Sequence, residues 1–298
     1  MKTGGLGVWV AMLSSIAQPV AAGAAEPVGL DPSSPWNVHY ADDYCRLIRV
    51  FGSGREAVTL IIDQYEPGDE FRISLMGRRM KSPAGSDKAR IRFGEALPQQ
   101  DVLFYSGSIG TNPAWIFVTD IRIRPLSDTE KAVLSARGSA PVAPVTDDEK
   151  ASVSSIDIGR PLRHPMRLRT GPMKASFAAM DACTDELLTH WGIDAARHKT
   201  RLRSAIPTRS PSTWLKDGDY PLAMLLKRQP GLVEFRLDVG EDGVPTACHI
   251  QQSTHPEGFD RTVCDRLMKR ARFEPALDRD GQPIASYYRD SVRFAFAN

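Results

Sequence analysis

The sequence predicts an α+β protein of two domains. The first is β-rich, a sandwich or open barrel, and the second is a small domain with a three-stranded antiparallel sheet and helices. Three observations carry this. Short β-branched and aromatic runs recur between residues 36 and 124, separated by Gly, Pro and Asp turn signals. Residues 219–298 read in the order helix, hairpin, helix, strand. A chain of 298 residues, 42% hydrophobic and 25% charged, has the size of two domains and the composition of a folded protein.

Taken in order, Lys2 and the apolar run Leu6 to Ala17 have the form of a signal peptide, residues 1–24. Ala22-Gly23-Ala24 is a small-x-small cleavage site before Ala25. The run is shorter than a membrane-spanning helix needs. Retained uncleaved, residues 6–22 would be an anchor. The strand runs follow. Cys45 to Phe51 ends at Gly52-Ser53-Gly54, Ala57 to Tyr65 ends at a Pro-Gly-Asp turn, and Phe71 to Leu75 alternates with period two. Further runs are Ile91 to Phe93, Val102 to Tyr105, Trp115 to Val118 and Ile121 to Ile123. Ser127-Asp128-Thr129-Glu130 has capping-box spacing and predicts a short helix to about Arg137. Gly138 to Pro144 reads as an exposed linker or loop. Ser176 to Trp191 predicts a helix with Met180, Cys183, Leu187 and Trp191 on one face and Gly192 as its stop. Residues 201–218, with Pro207, Pro211 and Gly218, read as an interdomain linker between a domain at 25–200 and one at 219–298.

In that last domain Tyr220-Pro221 opens a short helix, Leu222 to Leu226. A strand from Gly231 turns Val233, Phe235, Leu237 and Val239 to one side and Glu234, Arg236 and Asp238 to the other. Glu241-Asp242-Gly243 supplies a hairpin turn, with glycine free to take a positive φ. The return strand carries Thr246, Cys248 and Ile250 on one face. The next helix carries Val263, Cys264, Leu267, Met268 and Ala271 along one stripe. A last strand, Tyr287 to Phe296, turns Val292, Phe294 and Phe296 inward and Tyr287, Arg289, Ser291 and Arg293 outward. Export implies an oxidising compartment, where four cysteines form two disulfides. Cys248 and Cys264 face one another inside the small domain, which leaves Cys45 for Cys183. Three pairings are open in principle.

The ordered set Tyr220-Pro221, Gly231 with its apolar strand, Asp242-Gly243, and Phe273-x-Pro275-Ala276 followed by Gly281-x-Pro283 resembles the C-terminal domain of the TonB family. The resemblance covers about residues 219–298. It implies an envelope protein, and by extension a periplasmic one if the signal is cleaved or an inner-membrane-anchored energy transducer if it is not. It also implies a last strand at a sheet edge that pairs with the TonB-box peptide of an outer-membrane TonB-dependent transporter or with another envelope protein. Tyr287, Arg289, Ser291 and Arg293 are then the candidate binding residues. Where the family's transducers carry a long Pro-rich spacer, this chain has its β-rich domain.

Catalytic signals are weak, so the expectation is a non-enzyme without cofactor or metal. His39, His164, His190, His198, His249 and His255 show no compact ligand spacing. Ser108 in Gly107-Ser108-Ile109-Gly110 is not a nucleophile elbow and reads as a turn. Asp42-Asp43 and Asp147-Asp148-Glu149 read as solvated ends. The alternative is a ligand-binding protein or enzyme with its site in the β-rich domain. The net charge of +2 argues against nucleic acid as a partner. Yet residues 160–218 hold 11 basic and 5 acidic side chains. The run containing Arg160, Arg163, Arg167 and Arg169 reads as an edge strand guarded by charge, or as a weak contact for an anionic surface.

Overall fold

Alternating burial along the strand runs decides the architecture of the first domain. In the computed structural model, which describes residues 26–81, 88–117, 119–137, 142–254 and 256–296, Leu47, Leu60 and Ile73 are buried on successive strands. Their neighbours Arg46, Thr59 and Arg72 are half-buried on the other face. Among the described residues ten strands form the sheet: β1 (Val28–Leu30), β2 (Asn37–Tyr40), β3 (Cys45–Phe51), β4 (Val58–Gln64), β5 (Arg72–Met76), β6 (Lys88–Phe93), β7 (Gln100–Ile109), β8 (Asn112–Phe117), β9 (Ile156–Ile158) and β10 (Met166–Leu168). Their order is β1-β10-β9-β6-β7-β8-β5-β4-β3-β2. The long strand β7 joins the two halves. Residues 100–103 pair with β6, and residues 104–109 pair with β8. Side chains from both halves, including Leu47, Ile73, Phe93 and Ile158, share one core.

Among the described residues four α-helices belong to this part: α1 (Asp128–Arg137), α2 (Asp147–Ser152), α3 (Lys174–His190) and α4 (Ala195–Lys199). The expected capping box forms before α1, where Glu130 accepts from both the backbone N–H and the hydroxyl of Ser127. A second one, Thr146 with Glu149, starts α2. The acidic run 147–149 is thus the first turn of a helix, where negative charge is favoured by the helix dipole. Met180, Cys183 and Leu187 of α3 enter the core as their spacing predicts, and Cys183 is bonded to Cys45. Gly192 follows with φ +75°, the left-handed stop a glycine allows.

The C-terminal part contains β11 (Ile206–Pro207), α5 (Leu222–Leu226), β12 (Gly231–Val239), β13 (Pro245–Ser253), α6 (Pro256–Arg270), β14 (Phe273–Glu274), β15 (Ala276–Leu277), β16 (Pro283–Ile284) and β17 (Ser286–Phe294). Strands β13, β12 and β17 form the three-stranded antiparallel sheet, with β12 in the middle. Val233, Phe235, Leu237 and Val239 meet Phe259, Val263, Leu267 and Ala271 of α6 in one core. The second disulfide, Cys248–Cys264, ties β13 to α6. Gly243 turns the hairpin at φ +76°, and a β-carbon there would stand 1.9 Å from the Phe273 carbonyl oxygen.

Several expectations are corrected. Residues 201–218 are not a free tether. Strand β11 pairs with β14, and Trp214, 2% exposed, lies in the small domain's core against Phe273 and Tyr288. The Pro and Ser residues give turns around a buried anchor. Ile121 to Ile123 form only a single bridge, with Phe71, although both isoleucines are buried. Ser108 sits within β7, and the turn falls at Gly110. The run around Arg167 is no edge, because β10 lies between β1 and β9. Arg160 pairs with Asp101, Arg167 with Asp157 and Glu95, and Arg169 with Asp31. Arg163 is exposed and has no ion pair among the described residues. The 1–24 signal segment, residues 138–141 of the Gly138 to Pro144 loop, Val118 and His255 lie outside the described residues. No helix among the described residues is long and apolar enough to cross a membrane.

Candidate functional site: the last strand and the face behind it

Strand β17 is an edge of its sheet, paired only to β12 among the described residues. Its register sorts the side chains as expected. Tyr288, Val292 and Phe294 pack on the small domain's core, while Tyr287, Arg289, Ser291 and Arg293 share the opposite face. That face is not all solvent-facing, however. Tyr287 is 8% exposed. It is held edge-on to Trp191 at 5.4 Å and stacked on His198 at 5.2 Å. Arg289 donates to Glu66 and to Gln251, each at 2.7 Å. Ser291 and Arg293 are exposed. Of the four candidate residues, Ser291 and Arg293 are thus exposed, whereas Tyr287 and Arg289 are covered.

The cause lies in β12. Its polar side, Glu234, Arg236 and Asp238, alternates as a solvent face would, but the first domain covers it. Glu234 is 5% exposed and ion-paired to Arg72 of β5. Arg236 is 2% exposed, lies 3.0 Å from Asp43 and 3.1 Å from Asp238, and rests 3.8 Å over the Trp191 ring. Burial pulls its guanidinium below its ordinary pKa, opposed by the two carboxylates. Burying that cation is tolerable only because it is paired and stacked. Beside it runs an open cleft of about 350 Å³ lined by Asp42, Asp43, His190, Trp191, Arg236, Asp238 and His249. His249 lies 2.9 Å from Asp238. No set of three or more metal-binding side chains stands together among the described residues.

The buried ring stack marks the same junction. Burial holds His198 down at a pKa of about 3, with Arg201 adding to the shift. Burial also pushes the Tyr287 phenol well above its usual range. Sequence reasoning singled out neither His198 nor Trp191 as a junction residue. The available signal was the run Trp191-Gly192-Ile193, which has more apolar surface than a helix end in water requires.

Fold and site define a chain whose small sheet-and-helix domain presents an edge strand while the rear of its sheet is closed by a β-rich domain. Residues 217–296 match the family model of the Gram-negative bacterial TonB protein C-terminal. This segment is thus a TonB-like C-terminal domain. The match covers about a quarter of the chain and does not reach the β-rich domain. No curated protein matches the chain.

Proposed function

We propose that this is a non-enzymatic periplasmic protein that docks a partner by strand addition to β17. The favoured partner is a TonB-box-type peptide of an outer-membrane transporter. The observation that carries the reading is an edge strand with an exposed second half, Asp290, Ser291 and Arg293, inside a TonB-like C-terminal domain. Added backbone hydrogen bonds supply affinity, and alternate side chains supply selectivity. On the accessible face those are Ser291 and Arg293, and Arg293 favours an acidic residue opposite it. Tyr287 and Arg289 contribute by fixing the strand against the first domain. The domain division we propose runs from 25 to about 200 and from there to the end, with 201–218 assigned to the second unit. Cleavage after Ala24 would leave the protein free in the periplasm, whereas retention of residues 6–22 would make it an inner-membrane transducer.

The test is a titration of the full chain with a TonB-box-type peptide, followed by backbone amide resonances. The Asp290 to Phe294 amides should shift, and Arg293→Glu should weaken the effect. No change along Ser286–Phe294 at saturating peptide rejects the docking. N-terminal sequencing of the envelope-purified chain separates the periplasmic form, which starts at Ala25, from the anchored one.

A further inference from the structure

The one-turn helix α5 is apolar on the wrong side for a core element. Met224 points in, against Gly258 of α6, but Leu222 is 67%, Leu225 43% and Leu226 76% exposed. Single exposed leucines are ordinary, but three on one turn are a patch. Directly after them come Lys227 and Arg228, both exposed and without an ion pair to a carboxylate among the described residues. Glu257 at the start of α6 is the acidic residue that the Met224–Gly258 contact brings near, and the two cations outnumber it.

Arg228 adds a second, independent observation. It is the non-glycine residue with a positive φ, +49°, among those described. The turn is a Schellman cap. Arg228 N–H donates to the Leu225 carbonyl at 3.0 Å, and Gln229 N–H donates to the Met224 carbonyl at 2.9 Å. Glycine fills that position without steric cost. An arginine there sets a cation at the rim of the leucine patch, with its guanidinium 5.2 Å over the Phe296 ring.

We propose that α5 and its cap are a membrane-surface contact that takes an anionic lipid headgroup layer. The three leucines enter the headgroup–acyl boundary while Lys227 and Arg228 meet lipid phosphates. The geometry is that of protruding side chains rather than a groove, and apolar residues rimmed by unpaired cations complement a surface that is apolar below and negative above. The proposal does not rest on peptide docking at β17, although Arg228 over Phe296 adjoins the end of that strand. It also relocates the anionic contact expected for the Arg160–Arg169 run, where Arg160, Arg167 and Arg169 are already paired with Asp101, Asp157 and Asp31.

Flotation of the full chain with vesicles tests this, comparing equal parts phosphatidylglycerol and phosphatidylcholine against phosphatidylcholine alone. Neutral vesicles report any binding by the apolar residues 6–17. Excess binding to anionic vesicles is expected. It should fall roughly tenfold or more in Leu222→Ser/Leu226→Ser and about fivefold at low salt in Lys227→Ser. High salt should weaken the excess without abolishing it. Arg228→Gly provides a control for folding, since it should bind less tightly while melting at the same or a higher temperature. Equal binding to both vesicle types overturns the proposal. So does an anionic preference that the α5 variants leave unchanged, or one that survives them and vanishes in Arg163→Glu.

Discussion

His198 makes the junction between the two domains sensitive to acid. The ring is 2% exposed and stacked on Tyr287, and Arg201 Nη1 stands 3.3 Å from its Nδ1. Burial holds its pKa at about 3 against an ordinary 6.5. The folded chain therefore keeps this imidazole neutral where the unfolded chain protonates it. A base whose folded pKa is depressed contributes its full stability above the unfolded pKa and loses it as pH falls toward the folded one. From about pH 7.5 to about pH 5 the unfolded state gains roughly 2 kcal/mol from this proton alone, and any native pKa below about 4 gives the same result. The assay is denaturant unfolding at both pH values, for the natural chain and for His198→Phe, which keeps a ring on Tyr287 and carries no proton. The natural chain should lose about 2 kcal/mol more than the variant over that interval. Equal losses would refute the reasoning, because the acid response would then reside in other groups.

Other predictions follow from single contacts. Replacing Cys248 and Cys264 together by Ala should cost about 3 kcal/mol, and replacing Cys45 with Cys183 about 5 kcal/mol, from the entropy of the loops they close; chemical denaturation reads both. Gly243→Ala should destabilise by more than about 1 kcal/mol and lower the melting temperature, since it combines a left-handed backbone with a clash at the Phe273 carbonyl. Asp219, drawn down to a pKa of about 2 chiefly by Arg270, should contribute on the order of 1–2 kcal/mol, allowing for solvent screening. That stability is present above about pH 4 and lost as pH falls toward 2, and Asp219→Asn should flatten the acid limb in that window. Arg236→Ala should cost about 3–5 kcal/mol by leaving Asp43 and Asp238 without their cation, and adding Asp43→Ala should restore part of it in a double-mutant cycle.

Much of the small domain was legible in the sequence because local rules govern it. The alternation of Val233 to Val239, the Gly243 turn and the helical spacing of Val263, Leu267 and Ala271 each specify one face without reference to distant residues. The Cys248–Cys264 pairing followed from the same faces and Cys45–Cys183 by elimination, and these are the bonds formed. What escaped depends on partners far along the chain. Glu234 and Arg236 look like solvent-facing residues until Arg72 and Asp43 are brought to them. Tyr287 looks like an exposed binding residue until α3 and α4 arrive. Trp214 sits among turn-forming residues that give no hint of its burial. Strand β1, three residues long, has too little alternation to announce that it pairs in parallel with β10.

The antiparallel pairing of β12 with β17 runs over nine residues, from Gly231 opposite Phe294 to Val239 opposite Ser286. A tension applied lengthwise to a peptide lying along β17 would load those hydrogen bonds side by side, in shear, rather than parting them one after another as a zipper parts. Behind the same two strands, Arg72 to Glu234 and Arg289 to Glu66 cross to the first domain. A pull would therefore pass sideways into the ten-stranded sheet, which is itself tied to α3 by a covalent bond between residues 138 positions apart. The small domain would act as a bracket bolted to a plate, and the first connections to yield would be the ion pairs between the domains, which salt and acid both weaken.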